Sequence, residues 1–275
     1  MRLFLSCLIL LLPYFFSGQS AVSYLDKMVE SISTIQTLKY DLHSKELIDG
    51  QFINSHVIVK FNKQPFRVYT YMIKPEKGVE VLFSEENKFA LVKPKGFPFI
   101  NIRLDPYGKI MRNNQHHTLL DSGFDNVKEI VLSVLGTIRN NPDRYIFDLG
   151  NRNVEGREYK VIQLLNPDFS FIEYVVKKGE DIESISKSLN LCSYIILLKN
   201  NIDFYDEVYV GDKIFIPNSY AEKVELWIDL KSYLPLIQKV FIDDKLFEYY
   251  EFRNLVVNPQ FTDNEFNKDY VDYGF

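Results

Sequence analysis

The chain has 275 residues, a formal net charge of −5 and a sequence pI near 5.5, with no block of basic residues. It therefore lacks the electrostatic footprint of a nucleic-acid binder, and an anionic membrane surface is a poor match for it. Its 22 Phe and 18 Tyr favour strands and large apolar contacts.

Met1–Ser20 carries one early positive charge, Arg2, then an apolar run Leu3–Phe16, then the small residues Gly18 and Ser20. That order is a secretory signal peptide with a cut near Ala21. As a helix the run reaches ~21 Å against the ~30 Å of a bilayer core, so an uncleaved anchor is the second reading. Cys7 lies inside the run, far from the small-residue boundary, which argues against lipidation. The expectation is an exported periplasmic or cell-envelope protein that is not integral to the membrane after cleavage. Cys192 is then its one cysteine, which excludes an intramolecular disulfide framework.

From Ala21, Val22, Leu25, Val29, Ile32, Ile35 and Leu38 recur at helical spacing. Tyr40–Ile48 and Phe52–Phe61 flank Asp49-Gly50, the signature of a two-residue type I′ hairpin. That register sets Tyr40 opposite Val59 and Leu42 opposite Val57, and puts Asp41, His43, Lys45 and His56 on the other face. His43 and His56 face each other, but a metal needs a third ligand, and polar residues suit the wet face of a hairpin.

Pro65–Lys74, Gly78–Ser84 and Lys88–Lys93 continue the strand rhythm. Pro94–Gly108 reads as irregular, with Phe97, Phe99 and Ile102 available to plug a cavity or cover a sheet edge. A second helix is expected over Asp125–Asn140, capped by Asp125. Strands resume at Tyr145–Leu149 and Arg157–Leu165, and again at Lys223–Leu230, Leu236–Ile242 and Leu246–Leu255. The fold class is mainly β (α+β), a meander with two packed helices.

Between those strand groups, Tyr174–Pro217 opens on Tyr174-Val175-Val176 and Lys178-Gly179-Glu180-Asp181, and closes on Val210-Gly211-Asp212 and Lys213–Ile216 before Pro217. This stretch resembles a LysM domain, the peptidoglycan- and chitin-binding module. The resemblance implies a small βααβ fold with a shallow groove for N-acetylglucosamine units. The groove maps to Gly179, Glu180, Asp181 and Ile182 on one side and Asn201, Ile202 and Asp203 on the other. Gly179 permits a tight turn, and Asp181 is placed to cap the following helix; tight turns and caps alone would also account for these residues.

A second resemblance rests on Val224–Asp229, Leu234-Pro235, Glu248–Asn254, Asn258-Pro259 and Phe266, which look like the closing half of LolA-type periplasmic lipoprotein carriers. It implies an incomplete antiparallel β-barrel around helices, with an apolar cavity for acyl chains. It offers no clear counterpart of the buried arginine tied to ligand release in that family, Arg67 being the nearest. The expected division is 1–20 signal peptide, 21–167 half-barrel, 168–219 LysM-like insert and 220–275 half-barrel. Asn166-Pro167 and Asn218-Ser219 would be the hinges, because the paired ends of a LysM unit can replace a hairpin loop.

No G-x-S-x-G, HExxH, P-loop or CxxC is present, and His116-His117 sits in a loop-like stretch. Asp229, Glu248 and Glu251 read as solvated strand faces rather than a glycosidase pair. The expectation is a protein that is not an enzyme, with no cofactor and no metal. Its partners would be peptidoglycan or N-acetylglucosamine oligomers together with a lipid or lipoprotein acyl ligand. The alternative is an envelope scaffold or sensor whose interior is filled by Phe and Tyr and which docks a partner protein.

Overall fold

The computed structural model describes residues 18–97, 99–138 and 141–275. The expected signal segment lies outside them except for Gly18–Ser20, which open the first helix.

The elements run α1 (Gly18–Ser33), β1 (Thr37–Ile48), β2 (Gln51–Asn62), β3 (Arg67–Lys74), β4 (Glu80–Ser84), β5 (Ala90–Lys93), β6 (Ile102–Leu104), α2 (Lys109–Arg112) and α3 (Asp125–Ile138). They continue with β7 (Ile146–Val154), β8 (Arg157–Leu165), β9 (Phe171–Val175), α4 (Ile182–Leu189), α5 (Ser193–Asn200), β10 (Lys213–Pro217), β11 (Lys223–Asp229), β12 (Pro235–Ile242) and β13 (Lys245–Val257).

Eleven strands form one antiparallel sheet in the order β6-β5-β4-β3-β2-β1-β13-β12-β11-β8-β7. The ladder does not close, since β6 and β7 are its two edges. The first hairpin forms as its sequence dictates. Asp49 and Gly50 take φ of 49° and 76°, the pair of positive values a type I′ turn requires. Tyr40 pairs with Val59, Leu42 with Val57 and His43 with His56. The sheet joins its halves where β1 pairs with β13.

Period-two alternation gives the sheet an inner and an outer face. Leu38, Tyr40, Val59, Phe61, Leu226 and Phe252 point inward and are buried with α1 residues Ala21, Val22, Leu25, Met28 and Ile32. From α3, Val131, Leu135 and Ile138 join the same core. Outside, Tyr69 stacks on Tyr273 of the C-terminal tail with ring centroids 3.6 Å apart.

Four expectations are corrected. The Pro94–Gly108 passage contains strand β6, which pairs with β5 through Ile102 and Val92. Phe97 and Phe99 are 87% and 80% exposed, so they plug nothing. Asp125 is the first residue of α3 rather than its cap, and its carboxylate pairs with Lys63 at 2.9 Å. Ile35 and Leu38 lie beyond α1, yet both are buried in the core because the chain turns straight back into β1.

Candidate functional site: a cradle and a docked insert

The inner face and α3 border a half-open cavity of about 910 Å³. Every second residue of the strands supplies its wall: Leu42 from β1, Val57 from β2, Met72 from β3, Val81 from β4 and Val92 from β5. Helix α3 answers with Val127, Ile130, Val131 and Val134. The volume falls in the ~300–1,000 Å³ range of small-molecule pockets. Aliphatic side chains dominate the wall, with rings from Tyr40, Tyr145, Tyr220, Tyr250 and Phe252.

A buried polar group borders this cavity. Glu248 on β13 is fully buried. Its Oε1 lies 2.8 Å from His116 Nδ1, and its Oε2 accepts from Tyr220 Oη at 2.9 Å. Glu46 on β1, the next inward position beyond Ser44, accepts from the His116 backbone N–H at 3.1 Å and from Tyr250 Oη at 2.5 Å. Burial alone would raise the Glu248 carboxyl, but His116 and His117 reverse that and hold it well below the usual carboxylate range. Burial likewise disfavours a charged His117, yet Glu248, with Asp121 and Glu46, pushes its imidazole up to about 9. Tyr220 and Tyr250 are raised well above their ordinary value, chiefly by burial and then by the adjacent carboxylates. The site thus holds buried carboxylates that are paired or hydrogen-bonded, which is the condition for burying such groups.

Asp229 and Glu248 are therefore not solvated strand faces, being 5% and 0% exposed. Asp229 accepts from the Ser232 backbone N–H and Oγ at 2.8 and 2.7 Å. Glu251 stays on the outer face, bonded to Arg253 and Tyr249.

Strands β8 and β11 pair directly, Leu165 opposite Lys223, so the intervening segment leaves and re-enters the sheet at one point. Within it β9 and β10 pair antiparallel, Tyr174 opposite Ile214, and α4 and α5 complete a βααβ unit around Val176, Ile182, Ile185, Ile196 and Ile214. The expected hinges are stitched. Asn166 Nδ2 donates to Asn218 Oδ1 and Ser219 Oγ at 3.0 and 2.9 Å, and Asn218 Nδ2 donates to the Asp168 carbonyl at 2.8 Å.

The unit also docks on the cradle. Arg112, which ends α2 and is 5% exposed, lies 3.6 Å over the Tyr205 ring and bonds Glu183 at 2.5 Å, Ser193 Oγ at 3.2 Å and the His116 carbonyl at 3.1 Å. Tyr194 stacks on His116, and the Cys192 thiol donates to Glu248 Oε1 at 3.6 Å. Arg67, by contrast, is no buried arginine: it sits 3.1 Å from the exposed Asp263.

The residues mapped to the sugar groove lie at the two loop ends of α4 and α5. Gly179 takes φ +82° with open space where a Cβ would stand. Glu180 accepts from Tyr174 Oη and from the Lys177 N–H, both at 2.9 Å, and the latter bond leads in lowering its pKa. Asp181 caps α4 in a reciprocal pair with Ser184. Ile182 is fully buried in the unit's core, so only its backbone faces the loop. Asn201 takes the left-handed conformation that ends α5, next to half-buried Ile202 and exposed Asp203.

Sequence reasoning missed the Glu46, His116, His117, Cys192 and Glu248 group. Its members come from β1, the 113–118 loop, the insert and β13, and no local pattern announces a meeting of residues 132 positions apart.

The chain is thus an open antiparallel half-barrel that carries a small βααβ insert. Residues 174–217 match the LysM family, and this insert is a LysM domain. Residues 35–170 match DUF1571, a family of proteins of unknown function. No curated protein matches the chain. Among solved structures, a LolA superfamily protein from Nitrosomonas europaea aligns at TM-score 0.35 and 13% identity over 91% of this chain and 99% of its own. Lipoprotein LppX from Mycobacterium tuberculosis aligns at 0.43 and 10% over 90% and 100%, and LprF from Mycobacterium bovis at 0.45 and 13% over 88% and 95%.

Proposed function

We propose that this is an exported cell-envelope binding protein, not an enzyme, whose half-barrel holds an apolar acyl ligand of a lipid or lipoprotein while the LysM domain places it on peptidoglycan. The carrying observation is the cavity. Despite the chain's many rings, Val, Leu, Ile and Met make up much of the wall beside polar groups and a few rings, and the interior is left open at about 910 Å³, whereas a docking scaffold would have it filled by Phe and Tyr. The LysM match supports glycan binding, since such modules bind N-acetylglucosamine polymers. A single weak sugar site gains avidity from a repeating polymer.

The two halves of the reading separate experimentally. Val57→Trp, which puts bulk into the cavity, should abolish binding of a fluorescent fatty acid while the variant still sediments with purified peptidoglycan. Asn201→Ala combined with Asp203→Ala should do the reverse. A Val57→Trp variant that binds the probe like wild type would refute the cavity assignment. Unchanged sedimentation of the loop variant would refute the mapped groove.

A further inference from the structure

His116 is held in an unusual way. Its Nε2 lies 3.1 Å from the Leu47 carbonyl, and a carbonyl oxygen only accepts, so Nε2 carries a proton. Nδ1 then points at Glu248 Oε1, 2.8 Å away, and something electrophilic has to stand between these two bases: a second proton or a cation. A ring N–H fixed by a backbone carbonyl, leaving the other nitrogen free to coordinate, is the outer-shell arrangement of metal-bound histidines. The Cys192 thiol converges on the same point. His116 Nδ1, Cys192 Sγ and Glu248 Oε1 all lie within 4.8 Å of one another, and all three residues are buried.

We propose that His116, Cys192 and Glu248 form a structural divalent-metal site, completed by His117, that fastens the LysM domain to the half-barrel. The donor set of imidazole, thiolate and carboxylate selects zinc. Ligands at zinc distances stand roughly 3.3–3.8 Å apart around a tetrahedron. Glu248 Oε1 is already 3.6 Å from Cys192 Sγ and 3.7 Å from His117 Nε2. The His116–Glu248 approach has to open by about half an ångström, and His117, which stands outside the 4.8 Å group, has to swing towards the other three donors.

Charge balances as well. A Zn–S bond replaces the thiol S–H and Zn–N bonds replace one N–H on each coordinating imidazole, these protons leave to water, and thiolate plus carboxylate offset the dication. Entry is through His117, whose side chain is 25% exposed and lines the large cavity. The ligands come from the 113–118 loop, the LysM domain and β13, so the ion would cross-link three parts of the chain.

The test uses the full exported chain, purified without a polyhistidine tag, dialysed against zinc and then against buffer. Elemental analysis should find about one zinc per chain. Cys192→Ala and His116→Gln should each lose it, and His43→Gln with His56→Gln should keep it. Cobalt loading of the wild type should give a thiolate-to-cobalt charge-transfer band, a readout that needs no variant to fold. Folded wild type with less than about a tenth of a zinc per chain, cobalt bound without that band, or full zinc in folded Cys192→Ala would overturn the site.

Discussion

At the scale of single residues, Glu248 has the most to lose. Its carboxylate answers His116, Tyr220 and the Cys192 thiol at once. Replacing it with Gln removes the negative charge that His117 faces and leaves both histidines poorly paired. Breaking a buried charge pair from one side costs about 3–5 kcal/mol. Urea unfolding of Glu248→Gln should show a loss of that order, and a loss below about 1 kcal/mol would mean the network is incidental. Ile182→Ala should cost about 2–5 kcal/mol, because the side chain is core and not groove.

The outer face has its own pH signature. His43 stacks on His56 at 4.0 Å, and its pKa is lowered by burial first, then by His56 and Arg253. A depressed folded pKa means that its contribution to stability is complete above the unfolded value of 6.5 and is lost as pH falls through the folded value. Stability should therefore decline below pH 6.5 in wild type, and His43→Gln should remove part of that slope. Identical pH profiles for the two proteins would contradict this assignment.

At the scale of elements, Arg112 shows what a one-turn helix can do. Its guanidinium spreads over Tyr205 and bonds Glu183, Ser193 and the His116 carbonyl, so it ties the LysM domain to the half-barrel. Lys has a compact ammonium that cannot reproduce a planar fork. Both Arg112→Ala and Arg112→Lys should speed amide exchange across α4 and α5 and expose the 166–173 connection to protease. Exchange rates equal to wild type would show that the apolar contacts of Tyr194, Ile195, Tyr220 and Phe247 hold the dock unaided.

The same elements show what could be read in advance. The first hairpin was legible to the residue, because a two-residue turn and period-two alternation leave one register that turns Tyr40 and Leu42 to the inner face. The LysM unit was legible because its end motifs are local. Strand β6 was hidden by its Pro- and Gly-rich surroundings. The docking of the insert was hidden because it depends on residues scattered from Glu46 to Glu248, each ordinary in its own neighbourhood. Paired ends suggested hinges, whereas the asparagines there bond one another across the joint.

At the scale of the molecule, an open antiparallel sheet leaves an interior that its helices only partly fill. Helix α1 packs its stripe into one part of the concavity, and α3 roofs the rest. Five Tyr and Phe rings line its wall, while others lie away from it, as in the Tyr69–Tyr273 stack outside and the Tyr194–His116 stack of the LysM joint. The LysM domain reaches the rim of the cavity, where Leu189 and Asn190 of its α4 end line the wall. Ligand in the cradle and glycan on the module would thus act on neighbouring parts of one packed body.

Whether the cavity holds an acyl chain is decided most directly by organic extraction of the mature protein from an exporting host, followed by mass spectrometry. A lipid at about one per chain is expected, displaced by bulk at position 57. No lipid in the purified protein, and none retained after incubation with fatty acids and lipopeptides, would contradict it.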